Sequence, residues 1–336
     1  MIRFAVLGYG HWGPNLARNI AVSCSCRLTA ICDLSSSRLD TARQKHPRVL
    51  LTEDYAGVIA NPGIDAIVVA TPVQSHFQLA MAALRAGKHV LIEKPLTSTS
   101  GEALALIEES ERRGLVVMVD HTYVFSPAIG AVAETIRNQE LGRLWYWDST
   151  RLNLGLIRSD TNVVWDLASH DFGILDHVIP STPCALEVSG VIPGGGDSEH
   201  LAYVVLHFPN GFLAHIHASW ISPVKVRRTV IGGCRRMLVY DDQVADKVTI
   251  HDCGFERNND DGEVRYRREK VETVQLDTAE PLSLAVEHFA KCIAESRHPI
   301  TDGEAGFRVV RLLEAADRSL QSGGRIVSLE AEGVVV

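Results

Sequence analysis

The sequence predicts an α/β domain with a doubly wound parallel sheet, followed by an α+β domain with a largely antiparallel sheet. Three observations carry this reading. A short apolar run, Ile2–Leu7, leads directly into Gly8-Tyr9-Gly10-His11-Trp12-Gly13. Strand-like and helix-like patterns then alternate as far as Val119. Beyond residue 121 the pattern changes to strands joined by tight turns, with helices around them. The first domain is therefore placed at 1–121 and the second at 122–336.

Ile2–Leu7 reads as the first strand and Trp12–Ala21 as the helix that the glycines open. Leu28–Asp33 is a second strand and Ser35–Lys45 a second helix. Ile64–Ala70 is a continuous apolar run, which suits a parallel strand buried on both faces. Ser75–Ala86 reads as a helix stopped by Gly87, and His89–Ile92 as the next strand. Thr99–Arg113 is a helix with a Thr or Ser cap and Gly114 at its end, and Val116–Val119 follows as a strand. Such alternation implies right-handed crossovers in a parallel sheet. In the second domain Pro127–Asn138 and Val163–His177 read as helices flanking a strand at Leu144–Asn153. Strands and turns dominate from Leu186 to Leu276. Asn210-Gly211 between Ala202–Phe208 and Phe212–Trp220 predicts a hairpin. Pro193–Gly196 and the polar Asn258–Glu263 read as loops, and Pro281–Glu295 and Gly303–Ser319 as closing helices.

Composition removes several function classes. With 46% hydrophobic and 22% charged residues the chain can build ordinary cores, so disorder is not expected. A net charge of -8 and the absence of a basic run argue against nucleic acid as a partner. No apolar run reaches the ~18 residues of a membrane helix, so no membrane partner is expected. The N-terminal MIRFAVLGYG reads as a buried strand rather than a signal peptide. The seven cysteines are odd in number and scattered, and Cys24 and Cys26 are too close for an ordinary disulfide. They read as reduced thiols, which points to a cytoplasmic protein. His215 and His217 share one face of a strand, but no third ligand accompanies them. No metal is expected, and these histidines, like Trp145 and Trp147, read as lining a sheet face.

The glycine run carries the first chemistry. Following a strand and opening a helix, Gly8, Gly10 and Gly13 have the spacing of a Rossmann dinucleotide loop. The first glycine allows the turn, the second admits a pyrophosphate, and the third lets helix and strand pack. The helix N-terminus would present N–H groups to the phosphates. Asp33, twenty residues beyond Gly13, stands where a carboxylate accepts hydrogen bonds from ribose hydroxyls. That carboxylate repels a 2′-phosphate, so NAD is expected ahead of NADP. Arg38 nearby is the residue that would serve NADP.

Ile92-Glu93-Lys94-Pro95 at a strand end, with the glycine loop and Ala70-Thr71-Pro72…His76, resembles the Gfo/Idh/MocA family. The layout of the whole chain fits that family, which contains pyranose and cyclitol oxidoreductases. The resemblance implies a C-terminal open sheet that mediates homodimers or homotetramers. It adds His11, Trp12, Thr71, Pro72, His76, Glu93 and Lys94 to the expected cofactor contacts. It implies a catalytic set of Lys94, Asp166 and His170. The stretch from Arg151 through Asn153, Arg158, Asn162 and Trp165 to Asp166 resembles the branch that oxidises nucleotide-linked N-acetylglucosamine at C3. Those residues, with Lys94 and His170, are the expected substrate contacts. The family's arginine-containing run after the sixth strand is replaced here by Asp120-His121-Thr122-Tyr123, so His121 and Tyr123 are expected in its place.

The residue chemistry agrees with that set. Oxidising a secondary alcohol needs a base, a hydride acceptor and a positive charge at the developing oxyanion. An imidazole such as His170 is largely neutral at pH 7 and can take the proton. Lys94 supplies the charge. Asp166 and His170 share a helix face, so the carboxylate either orients the imidazole or binds a sugar hydroxyl. Asp171 caps, pairs or binds substrate. Two other readings stay open: an inositol, aminocyclitol or keto-sugar oxidoreductase, and a sensor that binds dinucleotide or sugar without chemistry.

Overall fold

In the computed structural model, residues 1–155, 157–158, 161–257 and 264–329 are described, and the polar stretch read as a loop at 258–263 lies outside them. The first apolar run forms β1 (Ile2–Leu7). It pairs in parallel with β2 (Cys26–Cys32), which in turn pairs with β3 (Leu50–Thr52). On the other side of β1 lie β4 (Ala66–Val69), β5 (His89–Glu93) and β6 (Val117–Asp120). The order β3-β2-β1-β4-β5-β6 reverses direction between β1 and β4, and dinucleotides bind at such a switch point. Between the strands run α1 (Gly13–Val22), α2 (Ser36–Lys45), α3 (Tyr55–Ala60), α4 (His76–Arg85) and α5 (Ser100–Arg113).

Local chemistry sets these boundaries. Thr99 and Glu102 close a reciprocal capping box at the start of α5, and Gly114 ends it at φ 64°. The β4 strand is buried along its whole length, as its unbroken apolar run requires. β3 and α3 are additions to the expected elements. Asp54 caps α3 by accepting from the Gly57 N–H at 3.0 Å.

The chain divides into two compact units that are not successive segments. The first is Met1–Ser126 with Ala279–Arg311; the second is Pro127–Thr278 with the chain from Leu312 onward. A single cut at 121/122 misses the return of the C-terminal segment to the first unit.

In the second unit α6 (Pro127–Arg137) and α7 (Ser169–Val178) accompany a nine-stranded sheet. The strands are β7 (Leu144–Leu154), β8 (Ala185–Val191), β9 (Leu201–His207), β10 (Leu213–Ser219), β11 (Ile221–Gly233), β12 (Met237–Asp241), β13 (Val248–Arg257), β14 (Val264–Thr273) and β15 (Val327–Ser328). Their order is β14-β13-β12-β11-β7-β10-β9-β8-β15. Among the described residues of this sheet only β7 and β10 pair in parallel. The β9–β10 hairpin stands where Asn210-Gly211 predicts it, with Gly211 at φ 79° and its N–H bonded to the Phe208 carbonyl. Asn210 keeps a negative φ, so the turn is the longer, bulged kind rather than a two-residue type I′ turn. β10 alternates: Ala214, Ile216 and Ala218 are buried, while His215 and His217 stack on Tyr203 from the other face.

The remaining helices are α8 (Pro281–Glu295) and α9 (Gly303–Gln321). α8 carries buried residues at Leu282, Ala285, Val286, Phe289 and Ala290, a helical stripe facing the β1–β4 sheet and α1. Phe289 is fully buried with its ring 5.9 Å from that of Phe4. Phe289→Ala is expected to cost about 3–5 kcal/mol, read as a lower urea midpoint with an unchanged slope. A loss under about 1 kcal/mol would contradict the assignment of α8 to this core. Among the described residues no helix is long and apolar enough to cross a membrane.

Candidate active site

The first unit builds its half of the chemistry on the glycine loop. A Cβ on Gly8 would sit 2.4 Å from the Ala70 carbonyl oxygen, and one on Gly13 would sit 2.1 Å from the Gly8 carbonyl oxygen. The fold itself demands those two glycines. Gly10 differs, because its Cβ would meet only the Arg38 guanidinium at 3.7 Å, an ordinary contact. Among the described residues nothing excludes a side chain there, which leaves the backbone open to close approach by an external group. This is the fit expected for a pyrophosphate.

Asp33 directly follows β2 and is 7% exposed. Its Oδ2 accepts from the Tyr9 N–H at 2.6 Å and its Oδ1 from the Ser35 N–H at 2.8 Å. The carboxylate therefore braces the glycine loop. Arg38 reaches it from α2 at 3.4 Å and is otherwise exposed. His11 is exposed and stacks beside Trp12, whose Nε1 donates to Asp120 Oδ2 at 3.1 Å.

The ends of β4, β5 and β6 hold the next group. Thr71 and Pro72 follow β4, with Thr71 Oγ1 accepting from the Ser75 hydroxyl at 2.7 Å. His76, expected as a cofactor contact, is instead buried, with Nδ1 2.9 Å from the Pro95 carbonyl and Nε2 2.8 Å from the Thr71 carbonyl. Burial pushes its pKa down and the two carbonyls oppose that push. It ties the segments after β4 and β5 together, because both ring nitrogens are already occupied. The Lys94–Pro95 peptide is cis. Glu93 and Asp120 are register partners across β5 and β6, and Lys94 follows Glu93 directly. His121 is 2% exposed, and neither ring nitrogen has a hydrogen-bond partner among the described residues. Burial, and then the Lys94 ammonium, push its pKa down to about 4, so it is neutral at pH 7. Tyr123 is half-buried in the short helical turn after β6.

The second unit places Asp166 and His170 on one continuous helical stretch, but of mixed geometry. Val164–Ala168 is a π-helical turn, and α7 starts at Ser169. Such turns recur at functional sites because they redirect side chains within a helix. Asp166 Oδ2 accepts from the Trp220 Nε1 at 2.9 Å, and Arg158 lies 3.8 Å from Oδ1. His170, in the first turn of α7, is half-buried.

Two expected substrate contacts have other work. Arg151 was expected to offer its guanidinium to an anionic substrate. Its Nε instead donates to Asp171 Oδ2 at 2.6 Å, with the side chains 7% and 1% exposed. Asp171 thus pairs rather than caps, and its Oδ1 also accepts from the Ser149 hydroxyl at 2.5 Å. Asn162 is the cap. Its Oδ1 accepts from the Val164 and Trp165 N–H groups at 3.1 Å, and its Nδ2 donates to Asp317 Oδ1 at 3.0 Å. Trp165 Nε1 donates to the other Asp317 oxygen at 2.8 Å. Asn153 is exposed near the end of β7. Sequence reasoning missed Asp120, Trp220 and Asp317 as partners of the site residues. The Asn162 cap had a readable signal, an Asn just ahead of a helix.

A parallel sheet in Rossmann order, a glycine loop whose middle glycine has room for a side chain, and a carboxylate directly after β2 define a dinucleotide-binding oxidoreductase fold. Residues 2–121 match the family model described as "Oxidoreductase family, NAD-binding Rossmann fold", and residues 129–239 match the "GFO/IDH/MocA C-terminal domain". The chain belongs to the Gfo/Idh/MocA oxidoreductase family. It is 29% identical to a UDP-N-acetylglucosamine 3-dehydrogenase of Acidithiobacillus ferrooxidans, over 92% of this chain and 94% of that one. It is 26% identical to a myo-inositol 2-dehydrogenase of Thermotoga maritima, over 98% and 99%. A solved structure of the Acidithiobacillus ferrooxidans UDP-N-acetylglucosamine 3-dehydrogenase superposes with a TM-score of 0.81, at 27% identity, covering 96% of this chain and 98% of that one.

Proposed function

We propose that this chain moves a hydride between NAD and a secondary alcohol of a sugar, C3 of a nucleotide-linked amino sugar being the leading substrate. The observation that carries the reading is the position of Lys94. It follows β5 at the carboxyl end of the sheet, the edge at which a Rossmann fold binds its dinucleotide. Bound NAD⁺ supplies the hydride acceptor. Gly8, Gly10, His11, Trp12 and Gly13 would hold its phosphates. Asp33 would take the ribose hydroxyls, with Thr71, Pro72 and Glu93 at the neighbouring strand ends. The Asp33 carboxylate supports NAD over NADP, against the pull of Arg38.

In this reading the Lys94 ammonium stabilises the oxyanion that develops as the hydride leaves. His170 takes the hydroxyl proton, and Asp166, anchored by Trp220, orients it or holds a neighbouring hydroxyl. Arg158, Trp165, Asn153, His121 and Tyr123 remain substrate contacts. The open sheet is the surface through which copies would form dimers or tetramers. The seven free cysteines support a reducing, cytoplasmic setting.

The similarity to a UDP-N-acetylglucosamine 3-dehydrogenase supports the nucleotide sugar, and the equally extensive similarity to a myo-inositol 2-dehydrogenase supports a cyclitol as the second reading. The test is reduced-nicotinamide absorbance with NAD⁺ or NADP⁺ and a panel of UDP-, dTDP- and GDP-sugars, free sugars and inositols. Turnover of a UDP-amino sugar with NAD⁺ is expected. Turnover of inositols alone would replace the first reading by the second. Silence in both directions, with cofactor bound, would favour a sensor.

A further inference from the structure

Behind Lys94 the ends of two strands bring two carboxyl groups together. Glu93 and Asp120 are directly in register on parallel β5 and β6, so their side chains leave the sheet on the same face about 5 Å apart at the backbone. Asp120 is well supplied with donors. Its Oδ1 accepts from the Thr122 hydroxyl at 2.8 Å and its Oδ2 from the Trp12 indole at 3.1 Å. Glu93 is poorly supplied. Among the described residues its Oε2 accepts only the Lys94 backbone N–H at 3.2 Å, and its buried Oε1 has no donor if both groups are counted as carboxylates. The register sets the two carboxyl groups side by side, where a hydrogen bond between them would satisfy Oε1. Two carboxylates have four acceptor oxygens and no hydrogen, so that bond requires a proton.

We propose that Glu93 and Asp120 share one proton, held as a carboxylic acid on Glu93 that donates to an ionised Asp120, and that this proton sets the charge facing Lys94. The donor count chooses the site. Neutral donors on both oxygens favour the ionised form of Asp120, whereas the orphan oxygen of Glu93 is satisfied only by carrying the hydrogen. Burial, and next the Asp120 charge, hold the Glu93 carboxyl well above the usual carboxylate range, with Lys94 pulling the other way. Burial also raises Asp120, against the hydrogen bonds from Glu93, Thr122 and Trp12. The two groups titrate as a unit.

The surrounding charges are few. Lys94 is the cation acting on the pair, and His121 is neutral at pH 7. The glycine loop offers the Trp12 indole. On the segment bridged to β6, Asp302 Oδ1 accepts from the Ala305 N–H. On α8, packed against residues 122–125, His288 Nε2 accepts from the Ile300 N–H. With one proton the pair carries a single negative charge opposite a single ammonium. Losing it places two negative charges beside Lys94, opens the bond between the strand ends and draws the ammonium away from its substrate. Trp12 passes the same change to the glycine loop. Glu93 and Asp120 are thus positioning residues, and their effect on turnover rests on the role of Lys94 proposed above.

The test uses the full chain and the infrared C=O stretch of protonated carboxyls at pH 7, where ordinary Asp and Glu are ionised. A band is expected that disappears on raising the pH, and that Glu93→Gln and Asp120→Asn each remove. Any contribution from Asp317, which burial also raises, stays in all three proteins. In wild type, kcat should fall about tenfold per pH unit above the titration of the band, the slope for loss of one proton. Glu93→Gln, whose amide can donate to Asp120 at any pH, should be flat there relative to its own value at pH 7. Identical spectra for wild type and both variants would overturn the shared proton. An unchanged alkaline fall in Glu93→Gln would overturn its link to turnover. Should that variant not fold, Asp120→Asn reads the same two outcomes. The band is independent of turnover, so it separates a failure of this pair from a failure of the Lys94 reading.

Discussion

Lys94→Ala is expected to bind NAD⁺ with nearly wild-type affinity and to lose about 10²–10³-fold in kcat, the usual effect of removing one oxyanion-stabilising group. The reasoning starts from position. Lys94 leaves β5 at the edge of the sheet where the glycine loop also ends, beside a neutral His121 and the Glu93–Asp120 pair. The glycines and Asp33 make the loop independently of this side chain, so cofactor affinity should survive. Titration calorimetry for NAD⁺ and steady-state kinetics separate the two effects. Loss of binding in proportion to loss of turnover would make Lys94 a cofactor ligand. Unchanged kcat would remove it from the chemistry.

Asp171→Ala should cost about 3–5 kcal/mol of stability, the range for breaking one side of a buried ion pair. The carboxylate is 1% exposed and accepts from both Ser149 and Arg151 on β7. Its removal leaves the Arg151 guanidinium buried without its carboxylate and unpins α7 from the strand. His170 is the residue before Asp171, so activity should fall with stability. Replacing both partners with apolar residues, Arg151→Met with Asp171→Leu, should cost less than the single change, because no buried charge is left behind. Urea unfolding reads both. A single-variant loss under about 1 kcal/mol would mean that the pair is solvated in solution.

Much of the fold was legible because its signals are local. β1, the glycine loop and the α5 cap are each written within a few consecutive residues. β3 and α3 were not, since a three-residue strand with one exposed and two half-buried residues and a six-residue helix carry too little period to read. The helix around Asp166 was expected, but its π turn was not, because an apolar repeat does not distinguish one extra residue in a turn. The return of α8 to the first unit rests on packing of Phe289 against Phe4, which no local pattern announces.

Site residues divide along the same line. Gly10, Asp33 and Lys94 stand in short motifs whose spacing has a chemical reason. Arg151 reads the same whether it faces an anionic ligand or a buried carboxylate, and its partner lies 20 residues later. The Glu93–Asp120 pair depends on β6 lying beside β5, and the Trp12 link to it spans 108 residues. Asp317 is further still from Trp165, at 152 residues. Strand order and helix docking decide such partners, and neither is encoded in a single stretch.

The central claim is hydride transfer from a carbinol carbon, and isotope transfer tests it most directly. A UDP-amino sugar deuterated at C3, and a myo-inositol deuterated at its ring carbons, would be incubated with NAD⁺ and the nicotinamide analysed by mass. Deuterium should appear on the reduced nicotinamide with wild type and be absent with Lys94→Ala that still binds NAD⁺. Tight NAD⁺ binding by wild type with no deuterium transferred from either substrate, and none returned from deuterated NADH to the keto sugars, would contradict it.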